Sequence, residues 1–68
     1  MAARKPKEEV DRRPGILIVE DDALLATMVE DVVTSLGYDV VASVASGEAA
    51  VDAARAHGPD LILMDVSL

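Results

Sequence analysis

Carboxylate side chains follow two separate apolar segments of this 68-residue chain. Glu20, Asp21 and Asp22 come directly after the apolar segment 16–19, and Asp65 comes directly after a second one. Short apolar runs of this kind are typical of strands that are buried on both faces of a parallel sheet. In such sheets ligands bind outside the carboxyl ends of the strands. The position of these acids therefore predicts a site for a hard cation.

The residues around these acids predict elements that bring the two apolar runs together. The pattern predicts a first strand over Ile16–Glu20, a helix over about Ala23–Leu36, a second strand over about Val40–Val44, a second helix from Ser46 to about His57, and a third strand over Leu61–Met64. Strands and helices that alternate through short loops form right-handed βαβ units. We therefore predict an α/β fold, a flavodoxin-like doubly wound parallel sheet with the partial order β1-α1-β2-α2-β3 and strand order 2-1-3.

With this strand order, the carboxyl ends of the first and third strands meet at the topological switch point of the sheet. Glu20, Asp21 and Asp65 are then expected to share one shallow acidic pocket, with Asp22 at its edge. Clustered carboxylates repel one another unless a counterion is present. Mg²⁺ suits such a cluster because it prefers oxygen ligands and is usually held by one or two carboxylates together with a phosphate. The alternative is a helix N-cap with solvated neighbours, and Asp21 or Asp22 can supply that cap.

The first helix carries apolar side chains at helical spacing, which predicts one broad face for burial. Its two rows are Leu24, Met28, Val32 and Leu36, and Leu25, Val29 and Val33. Gly37 follows, where a left-handed residue is expected to end the helix. Met28 and Met64 are both expected in the core.

Charge is distributed unevenly along the chain, which has a net charge of -7. Residues 1–14 contain five basic and three acidic side chains, whereas residues 15–68 contain one basic side chain, Arg55, and ten acidic ones. An acidic domain repels nucleic acid and favours cations or basic partner surfaces. We predict that residues 1–14 are a disordered charged tail and that residues 15–68 form the folded part.

Other classes of protein are disfavoured by what the composition lacks. The chain has no cysteine, so it has no disulfide framework and no thiolate metal site. No apolar stretch approaches the ~20 residues of a membrane span, and the N-terminus does not resemble a secretory signal. These features predict a cytoplasmic protein with no membrane partner and no nucleic-acid partner through this segment.

Four segments, taken in order, resemble the receiver domain of the response regulators of two-component signalling. The segments are Ile16–Asp22 (ILIVEDD), Leu36–Val40 (LGYDV), Ser46–Ala49 (SGEA) and Pro59–Asp65 (PDLILMD). The similarity covers about residues 15–68. Its specificity comes from the ordered set, including the 45-residue interval from Glu20 to Asp65. The chain is thus similar to the N-terminal half of a receiver domain.

This resemblance implies a phosphorelay signalling module rather than an enzyme. Asp65 would accept a phosphoryl group from a sensor histidine kinase, a phosphotransfer protein or a small phosphodonor. Glu20 and Asp21 would bind Mg²⁺ directly or through water, with Asp65 and the backbone carbonyl of Ser67 as further ligands. Attack by a carboxylate on phosphorus is chemically reasonable because a metal ion neutralises charge on both the attacking group and the donor.

The family pattern stops at Leu68, so we expect residues 15–68 to be a partial receiver that ends just after the third strand. In the family, a fourth strand ending in Ser or Thr and a fifth ending in Lys also contact the phosphoryl group. The alternative function is a truncated receiver that is not phosphorylated and acts as an interaction or dimerisation module. Its third strand would be an open edge through which two copies could associate or exchange elements. A haloacid dehalogenase-type phosphatase is excluded, because Ser67 occupies the position where that family needs an acid.

Overall fold

The computed structural model describes residues 13–65, in which three strands and two helices alternate along the chain. The elements are β1 (Gly15–Val19), α1 (Ala23–Ser35), β2 (Asp39–Val44), α2 (Gly47–His57) and β3 (Leu61–Met64). The strands are parallel and form one sheet in the order β2-β1-β3. The predicted α/β fold and strand order are confirmed, and each predicted boundary lies within one residue of the observed one.

Two predictions concern residues that the structure does not describe. The predicted N-terminal tail lies outside the described residues except for positions 13 and 14, and the backbone carbonyl of Ser67 also lies outside them. Both stay predictions. Within residues 13–65, neither helix is long and apolar enough to cross a membrane.

The centre of the fold is β1, which is buried along its whole length. Its side chains alternate between two apolar clusters, as the geometry of a strand requires. Ile16 and Ile18 pack with Val33 of α1, whereas Leu17 and Val19 pack on the other face with Ala50 of α2. The two helices therefore cover opposite faces of the sheet, as expected for a doubly wound fold.

Both helices begin at a side-chain cap, and a glycine with positive φ lies at the end of each. In α1 this is Gly37, which follows the C-cap Leu36 and has φ of +99°. An oxygen of Asp22, Oδ1, accepts hydrogen bonds from the backbone N–H groups of Leu24 (2.9 Å) and Leu25 (3.2 Å). In α2, Ser46 Oγ accepts one from the N–H of Ala49 at 3.1 Å. Gly58 ends α2 in the left-handed conformation, with φ of +56°. These local signals explain why the helix boundaries could be predicted so closely from the sequence.

The outer row of α1 is exposed, so the prediction of one broad buried face was wrong. Its side chains are between 54% and 70% exposed, and they are Leu24, Met28, Val32 and Leu36. Only Ala26 and Val33 of this helix are buried. The reason is the position of α1, which lies over β1 and β2, while β3 reaches the apolar cluster beneath it through Leu63. Met64 in β3 is also half exposed, so neither methionine belongs to the core.

At the amino end of the sheet, β1 is held to the start of β3 by a reciprocal pair of hydrogen bonds. The backbone N–H of Gly15 donates to Asp60 Oδ2 at 2.7 Å, and the backbone N–H of Asp60 donates to the carbonyl of Gly15 at 2.8 Å. Gly15 is buried, and a Cβ atom there would lie 2.9 Å from Cγ1 of Val41. The register between β1 and β3 is thus fixed before the strands reach their carboxyl ends.

We expect Asp60→Ala to lower the free energy of unfolding by about 1–3 kcal/mol, because it leaves the buried N–H of Gly15 without its carboxylate acceptor. Asp60→Asn retains an oxygen at the same position and should lose less than half as much. Urea denaturation followed by circular dichroism measures both variants. Equal losses would indicate that the charge of Asp60, and not this hydrogen bond, stabilises the strand pair.

Candidate functional site

The parallel register of β1 and β3 brings two of the predicted site residues together. Val19 pairs with Met64 at the last position of both strands, so Glu20 and Asp65 directly follow the ends of two adjacent strands. The backbone N–H of Asp65 donates to the carbonyl of Val19 at 3.3 Å, which continues the ladder to the end of both strands. The Glu20 carboxyl group lies within electrostatic and hydrogen-bonding range of Asp65. The predicted meeting of the two acidic strand ends is therefore observed.

Glu20 makes hydrogen bonds to β2 and to the residue that precedes α1. Its backbone N–H donates to the carbonyl of Val44 in β2 at 2.9 Å. Its side-chain Oε2 accepts a hydrogen bond from the backbone N–H of Asp22, just before α1, at 3.0 Å. Asp21 is within hydrogen-bonding range of the same carboxyl group. The site is thus built where β1, β2, β3 and the start of α1 meet.

Asp22 has a different task from the other acids. Its carboxylate caps α1, which confirms the interpretation of Asp22 as a helix cap. The Glu20 carboxyl group lies within hydrogen-bonding range of both Asp21 and Asp65. Asp21 and Asp65 border different grooves, so the prediction of one pocket shared by all three acids was wrong. The two explanations for the acidic cluster, a cap and a cation site, therefore apply to different residues of it.

The pKa of Glu20 shows how these acids influence one another. The hydrogen bond from the Asp22 backbone is the largest influence and lowers the pKa. Desolvation, hydrogen bonds to Asp21 and Asp65, and repulsion by the Asp65 charge all raise it, and their sum places the pKa above its ordinary value. A carboxyl group whose neighbours resist its ionisation is a group that a cation would stabilise.

This pKa shift predicts a pH dependence of folding in a metal-chelating buffer. The folded-state pKa of Glu20 is raised. At pH values between the unfolded-state and the folded-state pKa, the Glu20 carboxyl group is therefore more protonated in the folded chain than in the unfolded chain. The contribution of Glu20 to stability is therefore most favourable below its unfolded pKa and falls as pH rises through the folded pKa. We expect Glu20→Gln to raise the melting temperature at neutral pH, because glutamine has no charge for Asp65 to repel, and to flatten the pH profile on its acidic side. A melting temperature that falls at neutral pH would contradict this account.

Two shallow grooves border the acids. One, with a volume of about 280 Å³, runs between β3 and α1 and has Glu20 and Asp65 at its end. The other, of about 310 Å³, runs between α1 and β2 and is bordered by Glu20, Asp21, Thr27 and Glu30. The sequence reading did not include Thr27 or Glu30 in the site. Their positions one and two helical turns after Ala23, which borders the same groove, were the signal that could have found them.

The donor atoms present suit a hard cation in part. Within residues 13–65, no three His, Cys, Asp or Glu side chains are arranged to hold a metal ion by themselves. Mg²⁺ does not need such a cage, because it is usually bound through one or two carboxylates and completes its shell with water and phosphate oxygens. Carboxylates that repel one another at the exposed carboxyl end of the sheet fit that chemistry.

Comparison of the sequence with known proteins places the chain in a family. The family model of the response regulator receiver domain matches residues 16–68. The chain belongs to the response regulator receiver domain family. The receiver of this chain is 40% identical over 53 residues to chemotaxis protein CheY of Bacillus subtilis, a match that covers 78% of this chain and 44% of that protein. It is 43% identical over 54 residues to the polar-differentiation response regulator DivK of Brucella abortus, covering 79% of this chain and 43% of that protein.

The receiver also matches part of a much longer protein. A protein-glutamate methylesterase/protein-glutamine glutaminase of Natronomonas pharaonis is 35% identical over 52 residues, which is 76% of this chain and 15% of that protein. This chain therefore spans less than half the length of the curated relatives described above. The shared segment is the receiver module of two-component response regulators, a module that is generally not itself an enzyme.

Proposed function

We propose that this receiver is a phosphoacceptor module in which Asp65 takes a phosphoryl group in a reaction that requires Mg²⁺. The observation that carries the proposal is the position of Asp65 beside Glu20 at the carboxyl edge of β1 and β3. Membership of the receiver family supports the same assignment. The donor would be a sensor histidine kinase or a phosphotransfer protein, in keeping with the response regulators among its relatives.

The acids divide their roles in this proposal. Glu20 and Asp21 hold Mg²⁺ directly or through water, and Asp65 contributes both an oxygen ligand and the nucleophile. The raised pKa of Glu20 supports a cation site, because desolvation and the neighbouring Asp21 and Asp65 disfavour the ionised carboxylate and a positive charge would stabilise it. The backbone carbonyl of Ser67 is proposed as a further ligand on the basis of the family resemblance alone. When bound, Mg²⁺ neutralises charge on the carboxylate and on the incoming phosphoryl group.

The proposed transfer is a displacement at phosphorus. An Oδ atom of Asp65 forms a new bond to phosphorus while the bond from phosphorus to a histidine nitrogen of the donor breaks, and the electron pair of that bond stays on the nitrogen. The product is an acyl phosphate on Asp65. In such reactions positioning and electrostatic stabilisation supply most of the rate, so the chain's contribution is to hold the nucleophile beside the metal site.

A second function is supported by a separate observation. Within residues 13–65, β3 has β1 as its strand partner and three of its four apolar side chains are about half exposed, which favours an interaction or dimerisation module. This function does not require phosphorylation, and the two functions are compatible because the acids lie at the end of β3 and not along its edge.

The direct test of the phosphoacceptor function is to incubate the chain with Mg²⁺ and a small phosphodonor such as acetyl phosphate and to measure its mass. We expect a single phosphoryl adduct that is labile at alkaline pH, as an acyl phosphate should be, and that does not form when EDTA replaces Mg²⁺. No adduct at any concentration of donor would overturn the proposal for this chain. Circular dichroism on the same sample shows that the chain is folded under the assay conditions.

A further inference from the structure

The Glu20 carboxylate is held by a hydrogen bond from the chain segment that leads into α1. Its Oε2 atom accepts this bond from the backbone N–H of Asp22 at 3.0 Å. The backbone N–H of Glu20 is also engaged, because it donates to the carbonyl of Val44 at the end of β2 at 2.9 Å. Groups outside β1 therefore hold both the backbone and the side chain of Glu20, although this residue directly follows that strand.

The beginning of α1 sets the position of the Asp22 N–H. The Oδ1 atom of Asp22 accepts hydrogen bonds from the N–H groups of Leu24 at 2.9 Å and Leu25 at 3.2 Å. The carbonyl of Asp22 accepts another from the N–H of Ala26 at 2.9 Å. These bonds keep Asp22 in the extended conformation of an N-cap residue, with φ of -89° and ψ of 111°. Since this conformation is fixed from the helix side, the direction of the N–H toward Glu20 is fixed as well.

The other influences on the Glu20 carboxyl group oppose its ionised form. Desolvation, Asp21 and Asp65 raise its pKa, and within the described part of the chain the Asp22 N–H is the influence that lowers it. A glutamate side chain has many rotamers, so a free one can turn away from neighbouring carboxylates into solvent. The hydrogen bond from Asp22 therefore keeps the ionised Glu20 carboxylate close to Asp65, where a cation needs it.

We propose that Asp22 is a positioning residue for the cation site. Its carboxylate caps α1, the cap fixes the Asp22 N–H, and this N–H holds the Glu20 carboxylate where Mg²⁺ binds. Asp22 acts through Glu20 and is not itself a ligand, because its carboxylate is directed to the N–H groups of the helix. The inference rests on the proposed function, in which Glu20 binds Mg²⁺, and it makes the helix cap a part of that binding. Hydrogen-bond partners of metal-binding side chains orient them, and their loss typically weakens metal affinity by about 10–100-fold.

The Mg²⁺ affinity of two Asp22 variants, measured by titration calorimetry on the full chain, tests the proposal. Asp22→Asn removes the charge and keeps an oxygen that can cap α1, so we expect its affinity to stay within a few-fold of the original. Asp22→Ala removes the same charge together with the cap. We expect it to bind Mg²⁺ about tenfold more weakly than Asp22→Asn does. The comparison of these two variants cancels the effect of charge and leaves the effect of the cap.

The matched control for the loss of a helix cap is Ser46→Ala, which removes the cap of α2. We expect Ser46→Ala to lower the melting temperature as Asp22→Ala does, because each loses one cap, and to leave the affinity for Mg²⁺ unchanged. If circular dichroism shows that Asp22→Ala is unfolded, Asp22→Gly takes its place. Glycine is tolerated at N-cap positions but lacks the oxygen that fixes this turn, so we expect the same weakening of Mg²⁺ binding.

The possible results separate the positioning role from the proposed function. Equal Mg²⁺ affinities of Asp22→Asn and the variant without the cap would overturn the positioning role and leave the phosphoacceptor function in place. Equal weakening by Ser46→Ala would also overturn it, because any loss of helix stability would then weaken the site. An original chain that binds no Mg²⁺ would overturn the proposed function and the positioning role together.

Discussion

Replacement of Asp65 by asparagine is expected to abolish phosphoryl transfer to this chain. The amide has the same shape as the carboxylate, but it has no negative charge with which to attack phosphorus. The loss should be at least about 100-fold in the rate of adduct formation, because the nucleophile itself is removed. Intact-mass measurement after incubation with acetyl phosphate and Mg²⁺ gives the fraction of phosphorylated chain directly.

The matched control for this experiment is Asp22→Asn. It removes one negative charge from the same acidic cluster, while asparagine retains the oxygen that caps α1. We expect Asp22→Asn to be phosphorylated at a rate within a few-fold of the original chain. If Asp65→Asn is still phosphorylated, peptide mapping will show which other carboxylate reacts, and the assignment of Asp65 would be wrong. If both variants lose the adduct, the net charge of the cluster and not a single nucleophile controls the reaction.

The course of the backbone could be predicted from the sequence because its signals are local. Each strand is a short apolar run, and each helix begins at a side-chain cap, as Asp22 and Ser46 show. The handedness of βαβ units then limits the strand order to few choices. The meeting of Glu20 and Asp65 followed from that order alone, although 45 residues separate them in sequence.

The features that the sequence did not predict depend on what surrounds each element. The periodicity of α1 marks a broad apolar surface, but it contains no information about how many strands lie beneath the helix. The exposure of Met28 is the result. The hydrogen bond from Gly15 to Asp60 likewise joins two positions whose register is set by the folded sheet. The sequence allowed either Asp21 or Asp22 to cap α1, and only the path of the chain after β1 decides for Asp22.

The same contrast between local pattern and surroundings explains the character of β3. Its four apolar residues have the pattern of a fully buried strand, yet three of them are about half exposed. The apolar outer row of α1 is exposed for a related reason, since α1 lies over β1 and β2 and not over β3. The acids and the apolar side chains of β3 border the same shallow groove, with Glu20 and Asp65 at its end.

Mg²⁺ is expected to bind this chain in the absence of any phosphodonor, and the double variant Glu20→Gln/Asp21→Asn is expected to weaken that binding by on the order of tenfold or more. The physical reason is that desolvation and the neighbouring Asp21 and Asp65 raise the pKa of Glu20 by disfavouring its ionised form, and a divalent cation stabilises that form. Mg²⁺ should therefore raise the melting temperature of the original chain at neutral pH and have little effect on the double variant.

The pH dependence of that binding distinguishes a specific site from general attraction to an acidic surface. A proton on Glu20 competes with the cation, so the affinity for Mg²⁺ should fall as pH is lowered through the raised pKa of Glu20. Titration calorimetry at several pH values measures this fall, and Asp39→Asn is the control, since Asp39 pairs with Gly15 at the amino end of the parallel sheet, opposite the three acids. If Asp39→Asn weakens binding as much as the double variant does, the cation is held by the net charge of the domain. A loss confined to the double variant, and one that follows the titration of Glu20, requires a cation seated between the ends of β1 and β3.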